Sequence, residues 1–165
     1  MIRIMIVAAL FSAVCSGSMF AQQSTAAGDT GEVLAVVDRF MTAISTNDFK
    51  LLSIVRIEGS SSLVARPSDA GGTLVTRRVF SSASQTPGAN RERYWDPIVH
   101  VRGSIAVVWT PYEFWRDGKT SHCGIDMFEL VKEQGTWRIG NAMWTVEPEA
   151  CAALRPSDPA RVRPR

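Results

Sequence analysis

Apolar residues Val33, Val37, Phe40, Met41 and Ile44 recur at intervals of three and four, the spacing of one helical face, and the pattern runs to Asn47. Asp29 followed by Glu32 is a capping-box pattern that predicts the start of this helix, and the small, polar residues 22–28 predict a linker before it. Asp48 predicts the cap of a short second helix through Phe49, Leu51, Leu52 and Ile54. GSSSLV predicts a short strand, PSDAGG a loop, and Thr76 through Phe80 a third short helix. The period then changes to two. Residues 94–102 and 104–115 are rich in Val, Ile and aromatics, and two more strands follow, with reversals at Asp117 and Gly118 and at Gln134 and Gly135. Helices followed by a four-strand antiparallel meander predict an α+β fold with its helices on one face of the sheet.

The two reversals set a register. The first places Glu113 opposite His122, Trp109 opposite Asp126 and Val107 opposite Phe128. The second places Leu130 opposite Ile139, Phe128 opposite Asn141, Asp126 opposite Met143 and His122 opposite Glu147. One face then runs from an apolar end (Val107, Phe128, Leu130, Ile139) to a polar end that gathers Glu113, His122, Asp126, Asn141 and Trp109. The other face, with Tyr112, Phe114, Cys123, Ile125, Met127 and Trp144, is too apolar to be left wet and is expected to meet a second subunit.

Composition narrows the setting. In residues 1–21 a single basic residue, Arg3, precedes an apolar run from Ile4 to Val14 and then small residues ending at Ala21, the layout of a secretory signal peptide. The run is short for a membrane span, so a periplasmic or secreted protein is expected, with no membrane attachment once the signal is cut. The 165 residues carry a net charge of +2, but four arginines stand in the tail ALRPSDPARVRPR with one acid. Without leader and tail the balance is 13 basic to 15 acidic residues, which removes the basis for nucleic-acid binding and predicts residues 152–165 as a disordered, solvated end. Cys123 and Cys151 form an even pair in an exported chain. Pairing is favoured over two partly buried thiols, and a bridge would stabilise the fold by about 3 to 4 kcal/mol through loop closure.

The order of elements, with VVDRFMTAISTNDFKLL, RERYWDP, IAVVWTPYEFWRDGKTSHCGIDMFELV and GTWRI, resembles the nuclear-transport-factor-2-like superfamily over residues 29–151. That cone-shaped fold is shared by SnoaL-type polyketide cyclases, scytalone dehydratase and ketosteroid isomerase. The chain is most similar to exported members in which an SHCG strand and a cysteine after the last strand recur. The resemblance implies N-terminal helices packed on a curved, mainly antiparallel sheet, a pocket between them, and homodimers through the convex sheet face. Functions vary widely on this fold, and the aspartate and tyrosine arrangement of the steroid isomerases has no match here.

Chemistry is therefore expected at the polar end. His122 beside Glu113 is read as a proton shuttle, and Asp126 in a partly dry site as an acid or base, with Trp109, Glu113, Asn141 and Met143 around a small, partly apolar ligand. A structural hydrogen-bonded His–Glu pair is the competing reading. No cofactor is expected, since no phosphate-binding glycine loop is present. No metal is expected either, because His100, the other histidine beside His122, lies on another strand. Ser121 and Cys123 alternate with His122 and should point to the opposite face. A small-molecule binder with possible isomerase- or dehydratase-type acid–base activity leads, and a non-catalytic interaction domain with a filled cone is the alternative.

Overall fold

The computed structural model describes residues 18–82 and 87–164, with side chains from residue 28 onward. The signal peptide predicted over 1–21 lies almost wholly outside the described residues. Helix α1 (Ser18–Thr46) runs through the predicted linker, as the Ala and Gln residues there, good helix formers, allow. Asp29 is accordingly no cap. It accepts hydrogen bonds from Lys132 Nζ at 2.7 Å and Trp137 Nε1 at 3.4 Å, pinning α1 to the sheet. Val33, Val36, Val37, Phe40, Met41 and Ala43 form its buried stripe. Helix α2 (Phe49–Val55) follows as predicted, with Asp48 Oδ1 accepting from the Leu51 amide at 2.8 Å.

Among the described residues eight strands build one sheet: β1 (Arg56–Pro67), β2 (Thr73–Val79), β3 (Asn90–Trp95), β4 (Ile98–Arg102), β5 (Ile105–Arg116), β6 (Lys119–Glu133), β7 (Thr136–Thr145) and β8 (Val162–Arg163). Their order is β2-β1-β7-β6-β5-β3-β8, with β4 also on β5, and every pairing is antiparallel except β1 with β7. The third short helix predicted at Thr76 is the edge strand β2: Val75 and Val79 gain more from pairing with β1 than an isolated helical turn could supply. The strand predicted over 94–102 is two strands, broken where Asp96 takes a φ of 49° before Pro97.

Both predicted reversals are present, with positive φ at Asp117, Gly118, Gln134 and Gly135 as a two-residue hairpin requires. The register beyond them differs from expectation. Arg116 pairs with Lys119 and Trp115 with Thr120, but Phe114 pairs with His122, so Ser121 is an extra residue in β6. Leu130 pairs with Ile139, but Glu129 pairs with Asn141, so Gly140 is an extra residue in β7. Each bulge shifts the residues beyond it by one position and therefore exchanges their faces. Thr110 and Trp144 flank Asp126, and Val108 and Ala142 flank Phe128. The helices cover the face of Val108, Tyr112, Phe128, Leu130, Ile139 and Ala142, which forms the core.

The C-terminal residues are an ordered strap rather than a disordered tail. After a short helix α3 (Cys151–Leu154), the Leu154 carbonyl accepts from Trp95 Nε1 at 2.7 Å, and β8 pairs with Tyr94 and Trp95. Its arginines are not merely solvated: Arg155 bonds Glu113, Arg161 reaches Asp96 at 2.6 Å, and Arg163 bonds Asp38. Cys123 and Cys151 form the disulfide that anchors the strap, with Cα atoms 5.0 Å apart. Replacing both cysteines by serine should lower the unfolding free energy by about 3 kcal/mol in urea titrations. Alkylation of both thiols in the unreduced native protein would contradict the bond.

Candidate functional site

Between α1 and the covered face of the sheet lies a cavity of about 330 Å³. Phe40 and Ile44 of α1 form its roof, and Phe114, Phe128 and Trp144 its apolar wall. A second lobe of about 500 Å³ shares Phe40, Ile44, Arg78 and Trp144 with it and runs on past Arg56, Ser62 and Asn90. The sheet makes the space by alternation: even-numbered side chains of β5 and β6 point inward, so 110, 112 and 114 face the same side as 122, 126 and 128. Gly124, opposite Tyr112, has no room for a side chain. A Cβ there would lie 2.3 Å from the Thr145 carbonyl oxygen and 2.9 Å from Tyr112 Cε1, so its bareness lets the Tyr112 ring lie flat on the strand.

Two carboxyls, Glu92 from β3 and Asp126 from β6, line this cavity, and both are buried. Burial pushes the Glu92 carboxyl up to about 8, since a desolvated carboxylate is costly. Asp126 is raised well above the ordinary range by burial and then by the neighbouring charge of Glu92. Two carboxyls placed this way hold at least one proton between them at neutral pH. Asp126 Oδ2 is buried with no hydrogen-bond partner among the described residues. The Tyr112 phenol is held protonated by burial and by these acids, and it donates to the Thr145 carbonyl at 2.7 Å, so its proton is committed to the fold.

His122 is half-buried at the same cavity, stacked on Phe114 with ring centroids 5.2 Å apart and edge-on to Tyr112. Burial, then the charges of Arg116 and Arg66, lower its pKa, so the imidazole is neutral at pH 7. The bulge turns Ser121 toward it, with Oγ 3.0 Å from Nδ1 and both residues lining the cavity. Regular alternation would have put Ser121 on the far face; the extra residue is what brings the pair together.

His122 and Asp126 therefore share the cavity, and the four side chains expected around them do not. Trp109, Glu113, Asn141 and Met143 stand on the opposite face because the bulges reverse their parity. Glu113 is buried beneath the strap, where Thr120 Oγ1 donates at 2.6 Å, Arg93 Nη2 at 3.1 Å and Arg155 Nε at 3.2 Å. Burial acts to raise this carboxyl, but hydrogen bonds from Arg155, Thr120 and Arg93 outweigh it and hold it below its ordinary value. Its oxygens lie close to the Cys123 and Cys151 sulfurs, but those are bonded to each other and supply no thiolate ligand. Asn141 bonds Ser61 and Glu129 on the convex surface.

Sequence reasoning missed Glu92, Arg56, Arg66 and Arg78. The available signal for Glu92 was its place in NRERYW, where it alternates with Tyr94 as the one acid between two arginines.

No family model matches the sequence, and no curated protein matches it. Solved structures do match in fold. An NTF2-like protein with a cystatin-like fold from Novosphingobium aromaticivorans is 15% identical, with a TM-score of 0.62 over 86% of this chain and 96% of its own. An NTF2-like superfamily protein from Salmonella enterica is 19% identical, with a TM-score of 0.55 over 76% of this chain and 93% of its own. The association domain of C. elegans CaMKII is 15% identical, with a TM-score of 0.51 over 73% of this chain and 98% of its own.

The carboxyl pair has a consequence for stability. An unfolded Glu92 would titrate near 4.5, whereas the folded group keeps its proton up to about 8. The folded chain thus binds more protons between those values, and the stability this contributes, complete below the lower pKa, is lost as pH rises through the upper one. Urea midpoints should fall across that window in the wild type and fall less steeply in Glu92→Gln. An unchanged slope in the variant would contradict the buried pair.

Proposed function

We propose that this protein, which has the NTF2-like fold, binds a small, partly apolar molecule in its cone and moves protons on it with the Glu92–Asp126 pair. The observation that carries this reading is the pair itself: two buried carboxyls, one with an unpartnered oxygen, lining a cavity above the ~300 Å³ at which small-molecule sites begin. Once the pair has lost one of its protons, the ionised carboxyl removes a proton from carbon beside a carbonyl while the protonated one donates to the carbonyl oxygen. Delivery of the abstracted proton to a different carbon, with the enol proton returning to the second carboxyl, gives isomerisation; delivery of it to a departing β-hydroxyl, which leaves as water while the enol proton returns, gives dehydration. Neutral His122, braced by Phe114 and bonded to Ser121, orients a hydroxyl or carbonyl as donor or acceptor.

The disulfide supports export, since such bonds persist in oxidising compartments such as the periplasm or the exterior. A homodimer is supported by the convex face. Ile98, Trp109, Met127, Met143 and Leu63 are in register from β4 through β5, β6 and β7 to β1, one apolar row across five strands. Ile98 is 55% exposed, Trp109 47%, Met143 38% and Leu63 37%, a continuous stripe that a second copy would cover. A purely assembling role, as in the CaMKII association domain, rests on this same row and leaves the carboxyl pair without a task.

Incubation in D2O with a library of small ketones and β-hydroxy carbonyl compounds tests the chemistry. Solvent deuterium should enter beside the carbonyl, or water should be eliminated, and Asp126→Asn should slow this by about 100-fold or more. Equal rates in the variant, or ligand binding with no exchange for any compound, would leave the assembling role. Sedimentation should show a dimer at micromolar concentration that Trp109→Glu converts to monomer; a monomeric wild type removes the dimer.

A further inference from the structure

The second lobe holds a charge with no counter-ion among the described residues. Arg56 is 7% exposed, yet among the described residues none of the ion pairs includes it, and its pKa is lowered by burial with no carboxylate opposing the shift. Its Nε and Nη2 donate to Ser60 Oγ at 3.2 and 2.9 Å, and Nη2 also donates to the Ser61 carbonyl at 3.3 Å and Ser62 Oγ at 3.2 Å. The guanidinium lies over the Phe80 ring, 4.7 Å from its centroid. One edge is thus fixed by neutral oxygens and one face by an aromatic ring, while Nη1 takes no part in these bonds. Arg78, opposite Ser62 in β2, lines both lobes and is likewise absent from every ion pair among the described residues. A buried guanidinium held this rigidly costs stability unless an anion completes it, and the described fold supplies none.

We propose that the second lobe is a carboxylate subsite: Arg56, with Arg78 at its side, receives the head of a monoanionic carboxylic acid whose apolar body lies over Phe40, Ile44 and Trp144. Phe40, Ile44 and Trp144 beside the two guanidiniums favour an anion with an apolar body over inorganic phosphate. The planar fork of Arg56 matches a carboxylate in shape. Because the lobes share those three walls and Arg78, the far end of such a molecule reaches the Glu92–Asp126 lobe. The subsite names the substrate class for the carboxyl-pair function and rests on that reading for its chemistry, but not for its binding.

The test uses 4-phenylbutanoate and its neutral counterpart 4-phenylbutanamide, titrated calorimetrically into the oxidised, folded chain. The acid should bind at least tenfold more tightly than the amide. Arg78→Ala, at an exposed position, should weaken the acid three- to tenfold and leave the amide unchanged. Arg56→Gln, if it keeps the wild-type circular dichroism, should erase the preference; if it does not fold, the wild-type comparison and Arg78→Ala decide. Equal affinity for acid and amide, no binding of the acid at millimolar concentration, a preference that survives Arg56→Gln, or equal displacement by inorganic phosphate would each overturn the subsite. Turnover by the wild type, measured beside these affinities, separates the two proposals. An acid preference without turnover sustains the subsite and sinks the chemistry, whereas turnover of neutral ketones with no acid preference does the reverse.

Discussion

Two inserted residues decide which side chains see the cone. Ser121 in β6 and Gly140 in β7 each add one position to a strand between tight, positive-φ hairpins, and each reverses the facing of everything beyond it. With regular ladders Trp109 and Glu113 would sit beside Asp126 and His122, and Tyr112, Phe114 and Trp144 would line the outer surface. With the bulges, the aromatics form the pocket wall, and Trp109 joins the exposed apolar row. The same insertion swings Ser121 into hydrogen-bond reach of His122. A change of one residue in phase thus decides whether these aromatics line the cavity or the outer surface.

The cavity's electrostatics are set by what surrounds it. Acids and arginines share the cavity walls without pairing: among the described residues Glu92 and Asp126 are buried in no ion pair and keep protons, and Arg56, Arg66 and Arg78 line the lobes likewise without carboxylate partners. A fold seeking only stability would pair these groups or replace them with apolar ones. Three of the paired carboxylates, Glu113, Asp38 and Asp96, lie instead under the C-terminal strap. There the tail's arginines and the disulfide lock β8 onto β3, the strand that carries Glu92. The strap therefore braces one wall of the site from outside.

Local chemistry was legible in the chain. The helical stripe from Val33, the Asp48 cap, the two hairpin turns and the even cysteine pair each depend on residues close in sequence or on a count, and each is present in the fold. His122 and Asp126 sit on one face because they share a strand and differ by an even number, which no bulge outside 122–126 alters. The α+β class comes from the order of these signals.

Everything that depended on matching one strand to another was decided by the tertiary structure. A bulge has no strong local signature, so the partners of Asp126 changed from Trp109 and Met143 to Thr110 and Trp144, and Glu113 left the site. Thr76 through Val79 became a strand because β1 offered an edge to pair with, a term absent from local propensity. The arginine-rich tail looked solvated because its carboxylate partners lie up to 125 residues away, as Arg163 to Asp38 shows. Glu92 and Arg56 carry ordinary charges in the sequence; only burial without an ion pair among the described residues, a property of the assembled fold, makes them chemically distinctive.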